Sequence, residues 1–311
     1  MMRTKFEDCK MRLRLLVKGD QMTLNDPAKV WLDYTQEELD YNYNQRELVK
    51  NWDEYLTYYN SESERVRAKL NCRLDISYGP SEDQILDVFP ATDQDSPVVV
   101  YIHGGAWTRS HKDSNAYLAE SFVEAGAAFV SVHFGLVPNV TLDEQVAHNR
   151  AAIEWACRNC RDFGANPDRL YVAGHSSGGH HVGMMITTDW ERDHGLPADV
   201  IKGALACSGM YDLEAPRRSY RNEYLHLDDA AVERLSPIRH IPGYGCPLII
   251  GYGGGEHEEF RRQSKEFAEA WRAHGFVCQE FDMPGLNHFD VAKEFNNPDS
   301  PILKAMFPMI R

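Results

Sequence analysis

The 311-residue sequence predicts an α/β fold: a mostly parallel sheet of about eight strands, flanked by helices. Two observations carry this. In the second two-thirds of the chain, short apolar runs recur without polar alternation: "PVVVYIHGG", "AAFVSVHF", "RLYVAG", "KGALACSG", "PLIIGYGGG" and "FVCQEFDMPG". Runs of this kind suit strands buried on both faces, the usual state of a parallel sheet. Between them the sequence turns helical near residues 112–125, 143–161, 178–190 and 259–274. Strand and helix in alternation give crossovers that cover both faces of the sheet.

The first 22 residues carry Arg3, Lys5, Lys10, Arg12, Arg14 and Lys18, against Glu7 and Asp8. Their longest fully apolar run, Leu15 to Val17, is too short for a signal-peptide core. They read as a basic tail, with a transit peptide as the alternative. Residues 31 to about 70 are aromatic, polar and helical in period: Leu48, Trp52, Tyr55, Leu56, Tyr59, Val66 and Leu70 recur at helical spacings, preceded by Tyr34, Tyr41 and Tyr43. That stretch is too polar to form a core alone. It is expected to be a helical extension or cap (1–70) packed over the core (71–311) within a single domain. "RLDISYG" and "QILDVFPA" flank the turn "GPSED" and predict an antiparallel hairpin that opens the core. No internal repeat or low-complexity linker interrupts the chain.

Composition narrows the function. The net charge of −14 provides no basic face for a phosphate backbone, so nucleic acid is not an expected partner, and the charge reads as a matter of solubility. No apolar stretch approaches the roughly 18 residues of a membrane span. Seven scattered cysteines form no disulfide framework and fit a reducing, cytoplasmic setting. Cys157 and Cys160 are spaced C-x-x-C inside the helix-like "AAIEWACRNCRDFG", but no second Cys/His pair stands at zinc spacing, so they read as packing residues. Without an export signal, the sequon Asn139-Val140-Thr141 reads as a chance match. "GYGGG" fails as a dinucleotide fingerprint because Glu, not Gly, stands at 256, and no P-loop lysine follows. Neither a metal nor an organic cofactor is expected.

In such folds the chemistry sits in loops at the carboxyl ends of parallel strands. Five loops qualify: "HGGAW", "GHSSGG", "SGMYD", "GGGEHE" and "PGLNHFD". Gly174-His175-Ser176-Ser177-Gly178 matches G-x-S-x-G between a strand and a helix, the setting in which a sharp turn exposes the central side chain. The register selects Ser176 as nucleophile, since Ser177 has His175 rather than Gly two residues before it. A serine hydroxyl needs a base held by a third group. His288, after the last strand, is preferred over His257; His274 lies at a helix end, and His180 and His181 read as packing residues. Glu256 is the preferred orienting acid and Asp212 its rival, with Glu258 and Glu259 beginning the next helix. Backbone N–H groups of Gly104, Gly105 and Ser177 are the candidate oxyanion donors.

With these residues the chain resembles an α/β-hydrolase over essentially residues 72–311, on "HGGAW", "NPDRLYVAGHSSGGH" and "NHFD". Within that fold it is most similar to the kynurenine formamidase branch and its bacterial esterase-like relatives, through "LDYNYNQR", "VPNVTLDEQV", "SGMYDLE" and "EHEEFRRQSKEF". The hormone-sensitive-lipase branch also uses HGG but usually sets its acid in an Asp-Pro-Leu context. The formamidase branch usually has Asp where this chain has Glu256, a carboxylate one methylene longer. Trp107 matches the aromatic that follows the oxyanion glycines in such enzymes. The resemblance implies a serine esterase or amidase acting on an N-formyl or acyl arylamine, or on a related ester. Trp107, His103, Tyr43 and Phe289 are candidates for an aromatic pocket. A general carboxylesterase for small acyl esters is the first alternative. A non-catalytic ligand-binding protein is the second, although such proteins generally lack a triad member. The expected partners are the small-molecule substrate and, in a homodimer, a second copy of the chain.

Overall fold

A computed structural model describes residues 28–311, so the basic tail falls outside the described residues. Helices α1 (Gln36–Asn42) and α2 (Trp52–Lys69) come first, followed by strands β1 (Arg73–Ser77) and β2 (Ile85–Phe89). Next are β3 (Ser96–Ile102), α3 (Ala119–Glu124), β4 (Ala128–Val132), α4 (Leu142–Asn159), β5 (Ala165–His175) and α5 (Ser177–Ile186). Then come α6 (Trp190–His194), β6 (Ile201–Cys207), α7 (Glu214–Arg218), α8 (Asn222–Leu225) and α9 (Asp229–Leu235). The last elements are β7 (Leu248–Gly253), α10 (Glu258–Ala273), β8 (Cys278–Met283), α11 (His288–Lys293) and α12 (Pro301–Ile310).

The strands form one eight-stranded sheet in the order β1-β2-β4-β3-β5-β6-β7-β8. β1 and β2 are antiparallel to their neighbours, and every pairing from β4 through β8 is parallel. The missing alternation in the apolar runs has a direct cause. In β3, Val98, Val100 and Ile102 pack into one core while Val99 and Tyr101 pack into the other. With helices on both faces, each residue of the strand meets apolar neighbours. Reciprocal capping boxes, Thr35 with Glu38 and Thr141 with Glu144, start α1 and α4. α10 buries Phe260, Gln263, Phe267 and Trp271 along one stripe.

The N-terminal stretch departs from a continuous helical period. It breaks between α1 and α2, where Tyr43 turns wholly inside and its carbonyl accepts from Arg221 Nη2 (2.8 Å) and Tyr220 Oη (3.2 Å). Leu48 and Leu56, counted from their spacing as part of an apolar face, are exposed in consequence. α2 lies across the sheet end, with Tyr59 stacked on Tyr117 at 5.5 Å. Burial pushes the Cys160 thiol up to about 11, which removes its thiolate at neutral pH. Among the described residues no helix is long and apolar enough to cross a membrane.

Candidate active site

β5 runs straight into α5 through Ser176, whose φ of 59° and ψ of −125° lie outside the ordinary regions for a residue with a side chain. Such a conformation costs about 1–3 kcal/mol and persists only where its surroundings enforce it. Here the Ser176 N–H donates to Cys207 O (2.9 Å), and its carbonyl accepts from the His180 N–H (3.1 Å). A Cβ at Gly178 would stand 2.1 Å from Ile102 O, so the helix can approach β3 this closely only with glycine there. The strand register, the turn and the glycine spacing thus aim Ser176 Oγ away from the sheet end.

His288 opens α11, and the Asn287 side chain caps that helix by accepting from Phe289 N (2.8 Å) and Asp290 N (3.1 Å). His288 Nε2 lies 2.9 Å from Ser176 Oγ, and its Nδ1 is hydrogen-bonded to Glu256 Oε1. The other carboxylate oxygen of Glu256 accepts from Ser208 Oγ (2.9 Å) and Gly253 N (3.0 Å). Gly254 N–H donates to Met283 O (2.8 Å) and Gly255 N–H to Leu286 O (2.9 Å), which ties the acid's loop to the loop carrying the imidazole. All three side chains are buried. Burial raises the Glu256 carboxyl above its ordinary range, against the pull of the Ser208 and Gly253 hydrogen bonds. Burial, with the charge of Arg221, holds the His288 imidazole well below the usual histidine value, so it rests neutral and free to accept a proton. His175 also brings a ring nitrogen to this group, within 4.8 Å of the Glu256 and His288 atoms. Both nitrogens of His288 are already engaged, one by a hydroxyl and the other by a carboxylate.

A Cβ at Gly104 would stand 3.1 Å from Ser176 Cβ, so the backbone after β3 passes directly beside the serine, and Gly104 and Gly105 both line the cavity there. Ser177 is the first residue of α5, where an N–H has no intrahelical acceptor and the helix end carries partial positive charge. This arrangement can stabilise an oxyanion formed at a carbonyl attacked by Ser176.

Two pocket expectations are corrected. Trp107 is buried beneath the cavity rather than in its wall. Its positive φ of 63° turns it inward, its indole N–H donates to His180 Nδ1 (3.2 Å), and its carbonyl accepts from Gln145 Nε2 (2.7 Å). His103 is likewise fully buried, with Nδ1 bonded to Gly104 O (2.8 Å) and Nε2 to His133 Nδ1 (3.2 Å), and it stacks on Phe134. The Ser177 side chain, given no role from the sequence, accepts from the Trp107 N–H (3.2 Å) and so helps fix the "HGGAW" turn. Tyr43 and Phe289 do line the cavity. Asp212 is committed to Glu214 N (2.9 Å) and Arg239 (3.0 Å), and His257 packs against Tyr41; neither is bonded to Ser176 or His288.

A family model described as BD-FAE matches residues 86–271, more than half of the chain. The chain belongs to the BD-FAE family. This BD-FAE member is 30% identical over 257 residues to a kynurenine formamidase of Danio rerio, covering 80% of this chain and 86% of that protein. It is 26% identical over 242 residues to esterase LipQ of Mycobacterium tuberculosis, covering 70% and 57% respectively. Among solved structures, a Silicibacter sp. protein provisionally described as a thioesterase matches with a TM-score of 0.77 and 26% identity, over 88% of this chain and 98% of that one. Esterase B of Lactobacillus rhamnosis matches with a TM-score of 0.68 and 16% identity, over 85% and 94%, a likeness of fold. The BD-FAE chain has the α/β-hydrolase fold and is a hydrolase.

Several residues of this BD-FAE site escaped the sequence reading. Ser208 lies in the "SGMYD" loop, where Asp212 was the only residue weighed for a role, and Arg221 and Tyr220 come from a stretch without periodicity. Tyr117, singled out by no pattern, joins Trp52 and Tyr59 of the aromatic stretch expected to pack over the core, and all three line a cavity of about 590 Å³ beside Ser176. Ser208→Ala should lower kcat by about tenfold or somewhat more with little change in KM, since it removes one hydrogen bond to a buried carboxylate. Steady-state kinetics check this, and an unchanged kcat would contradict it.

Proposed function

We propose that this chain is a serine hydrolase that opens an ester, or an N-acyl and in particular N-formyl arylamide, through an acyl-enzyme. The reading rests on the unbroken line of hydrogen bonds from Ser176 Oγ through His288 to Glu256. Ser176 Oγ attacks the carbonyl carbon as its proton passes to His288 Nε2. Glu256 holds the Nδ1–H and stabilises the imidazolium. The carbonyl π pair moves to oxygen, which the N–H groups of Gly104, Gly105 and Ser177 receive. Collapse of the tetrahedral intermediate expels the alcohol or amine, which takes the proton from Nε2. Water, deprotonated by the same imidazole, then releases the acid and restores Ser176.

Residues 28–70 act in this reading as a cap. Tyr59 Oη donates to Phe289 O (2.7 Å), Tyr55 Oη donates to Asp290 (2.8 Å), and Trp52 packs edge-on to Phe289 at 4.5 Å, next to His288. The aromatic wall so formed suits an aryl leaving group, and a kynurenine formamidase is among the relatives. A general carboxylesterase is the competing reading, and an esterase, LipQ, is also among the relatives. The two separate on kcat/KM for N-formylkynurenine against p-nitrophenyl acetate and butyrate. The formamidase reading expects the formamide to exceed both esters by about tenfold or more. The reverse order would leave the carboxylesterase.

A further inference from the structure

The cavity beside Ser176 runs against the charge of the whole chain. The sequence has a net charge of −14, yet the cavity lining contains Arg46, Arg109 and Arg221 and, among the described residues, no aspartate or glutamate. Arg46 and Arg109 are exposed, whereas Arg221 is only 6% exposed. A guanidinium offers five N–H donors and cannot shed its charge in a protein. Arg221 makes two hydrogen bonds, from Nη2 to Tyr43 O (2.8 Å) and from Nη1 to Tyr224 Oη (3.1 Å), both to uncharged acceptors. Its Nε has no partner among the described residues. Around it stand the rings of Tyr43, Trp107 and Tyr220, at 5.4, 5.8 and 5.9 Å from the guanidinium carbon.

Among the described residues Arg221 forms no ion pair: Glu256 is bonded to His288, Glu259 to Arg262, and Asp40, which reaches the neighbouring residue, accepts from the Tyr220 N–H (2.6 Å). A buried charge without a counter-ion is costly, and aromatic faces and neutral acceptors offset only part of that cost. A ligand anion would complete it. The position suits this, because Arg221 lies near enough to His288 for its charge to depress that imidazole. A single buried guanidinium balances a monoanion.

We infer that the substrate carries a carboxylate, received by Arg221, on an aromatic body held by Trp52, Tyr59 and Phe289, while Arg46 and Arg109 draw it in at the cavity mouth. The inference rests on the reading of Ser176 as nucleophile only for where the scissile bond lies. The binding itself is independent of turnover.

The test is a calorimetric titration of the full-length protein with 3-phenylpropionate and, separately, 3-phenylpropionamide, which differ in charge and hardly in shape. The acid should bind about 10- to 100-fold more tightly than the amide, as expected of charge-assisted hydrogen bonds at a desolvated site. Folded Arg221→Gln should bring the ratio to near one, and Arg109→Gln, an exposed change, should lower it in part. If Arg221→Gln does not fold, the wild-type ratio and the Arg109→Gln protein decide. Equal binding of acid and amide by the wild type, or a folded Arg221→Gln protein that keeps the ratio, overturns the inference. A clear preference for the acid in a protein that hydrolyses nothing would instead defeat the serine-hydrolase reading and leave this one standing.

Discussion

Replacing Ser176 with alanine is expected to lower kcat by about 10⁴- to 10⁶-fold, the range seen when the nucleophile of a linked triad is removed. The neighbouring Ser177→Ala is expected to keep kcat within about tenfold of wild type. The two serines differ in what they present to the site. Ser176 places Oγ against His288 Nε2, whereas Ser177 offers its backbone N–H at the helix start and sends its side chain to the Trp107 N–H. Loss of that buried hydrogen bond should lower the stability of Ser177→Ala by about 1–3 kcal/mol while leaving the nucleophile in place. Ser176→Ala relieves no backbone strain, because alanine meets the same positive φ, so its melting temperature should stay close to wild type. Kinetics and thermal unfolding of the pair check both statements. Equal losses of turnover from the two substitutions would remove the distinction between the serines.

Glu256→Gln is expected to cost about 10⁴-fold in kcat, since the amide can meet His288 Nδ1 with the wrong hydrogen-bonding group and cannot stabilise the imidazolium. The same variant should alter the pH profile. In the free wild-type enzyme, burial raises the Glu256 carboxyl and lowers the His288 imidazole, and the hydrogen bond between them makes the proton taken up as pH falls a property of the pair. Activity is then lost as pH falls through the proton uptake of the pair, and the raised carboxyl places that acid limb of kcat/KM above the ordinary glutamate range. With Gln at 256 that limb belongs to His288 alone and should move to lower pH. A limb that stays in place after the substitution would show that a different group controls it.

Much of this was legible in the chain because local pattern and tertiary environment agree. The runs "PVVVYI" and "LIIGYG" lack alternation because helices cover both faces of β3 and β7. The elbow was legible because the close approach of α5 to β3 demands glycine at a fixed distance from Ser176. Glu256 and His288 could be selected because they close the last two parallel strands, whose loops must adjoin. Where the sequence misled, the cause was a backbone turn that leaves no trace in residue pattern. The helical period of residues 31–70 continues through Tyr43, yet the chain breaks there to bury that ring and give its carbonyl to Arg221. Trp107 follows Gly104 and Gly105 and read as a pocket wall, but its positive φ sends the indole to His180. Arg221 stands in a segment of short helices without a period, and only the fold brings it to Ser176. The charge of a cavity is a property of distant residues, so the net charge of the chain gave no hint of it.

An activated Ser176 nucleophile should react with a serine-directed fluorophosphonate, which intact-protein and peptide mass spectrometry reads directly. A single adduct is expected on the peptide containing Ser176, with loss of hydrolysis in step with its formation and no adduct in Ser176→Ala. A protein that binds ligand but takes up no label, or that hydrolyses substrate while labelled at some other residue, would contradict it.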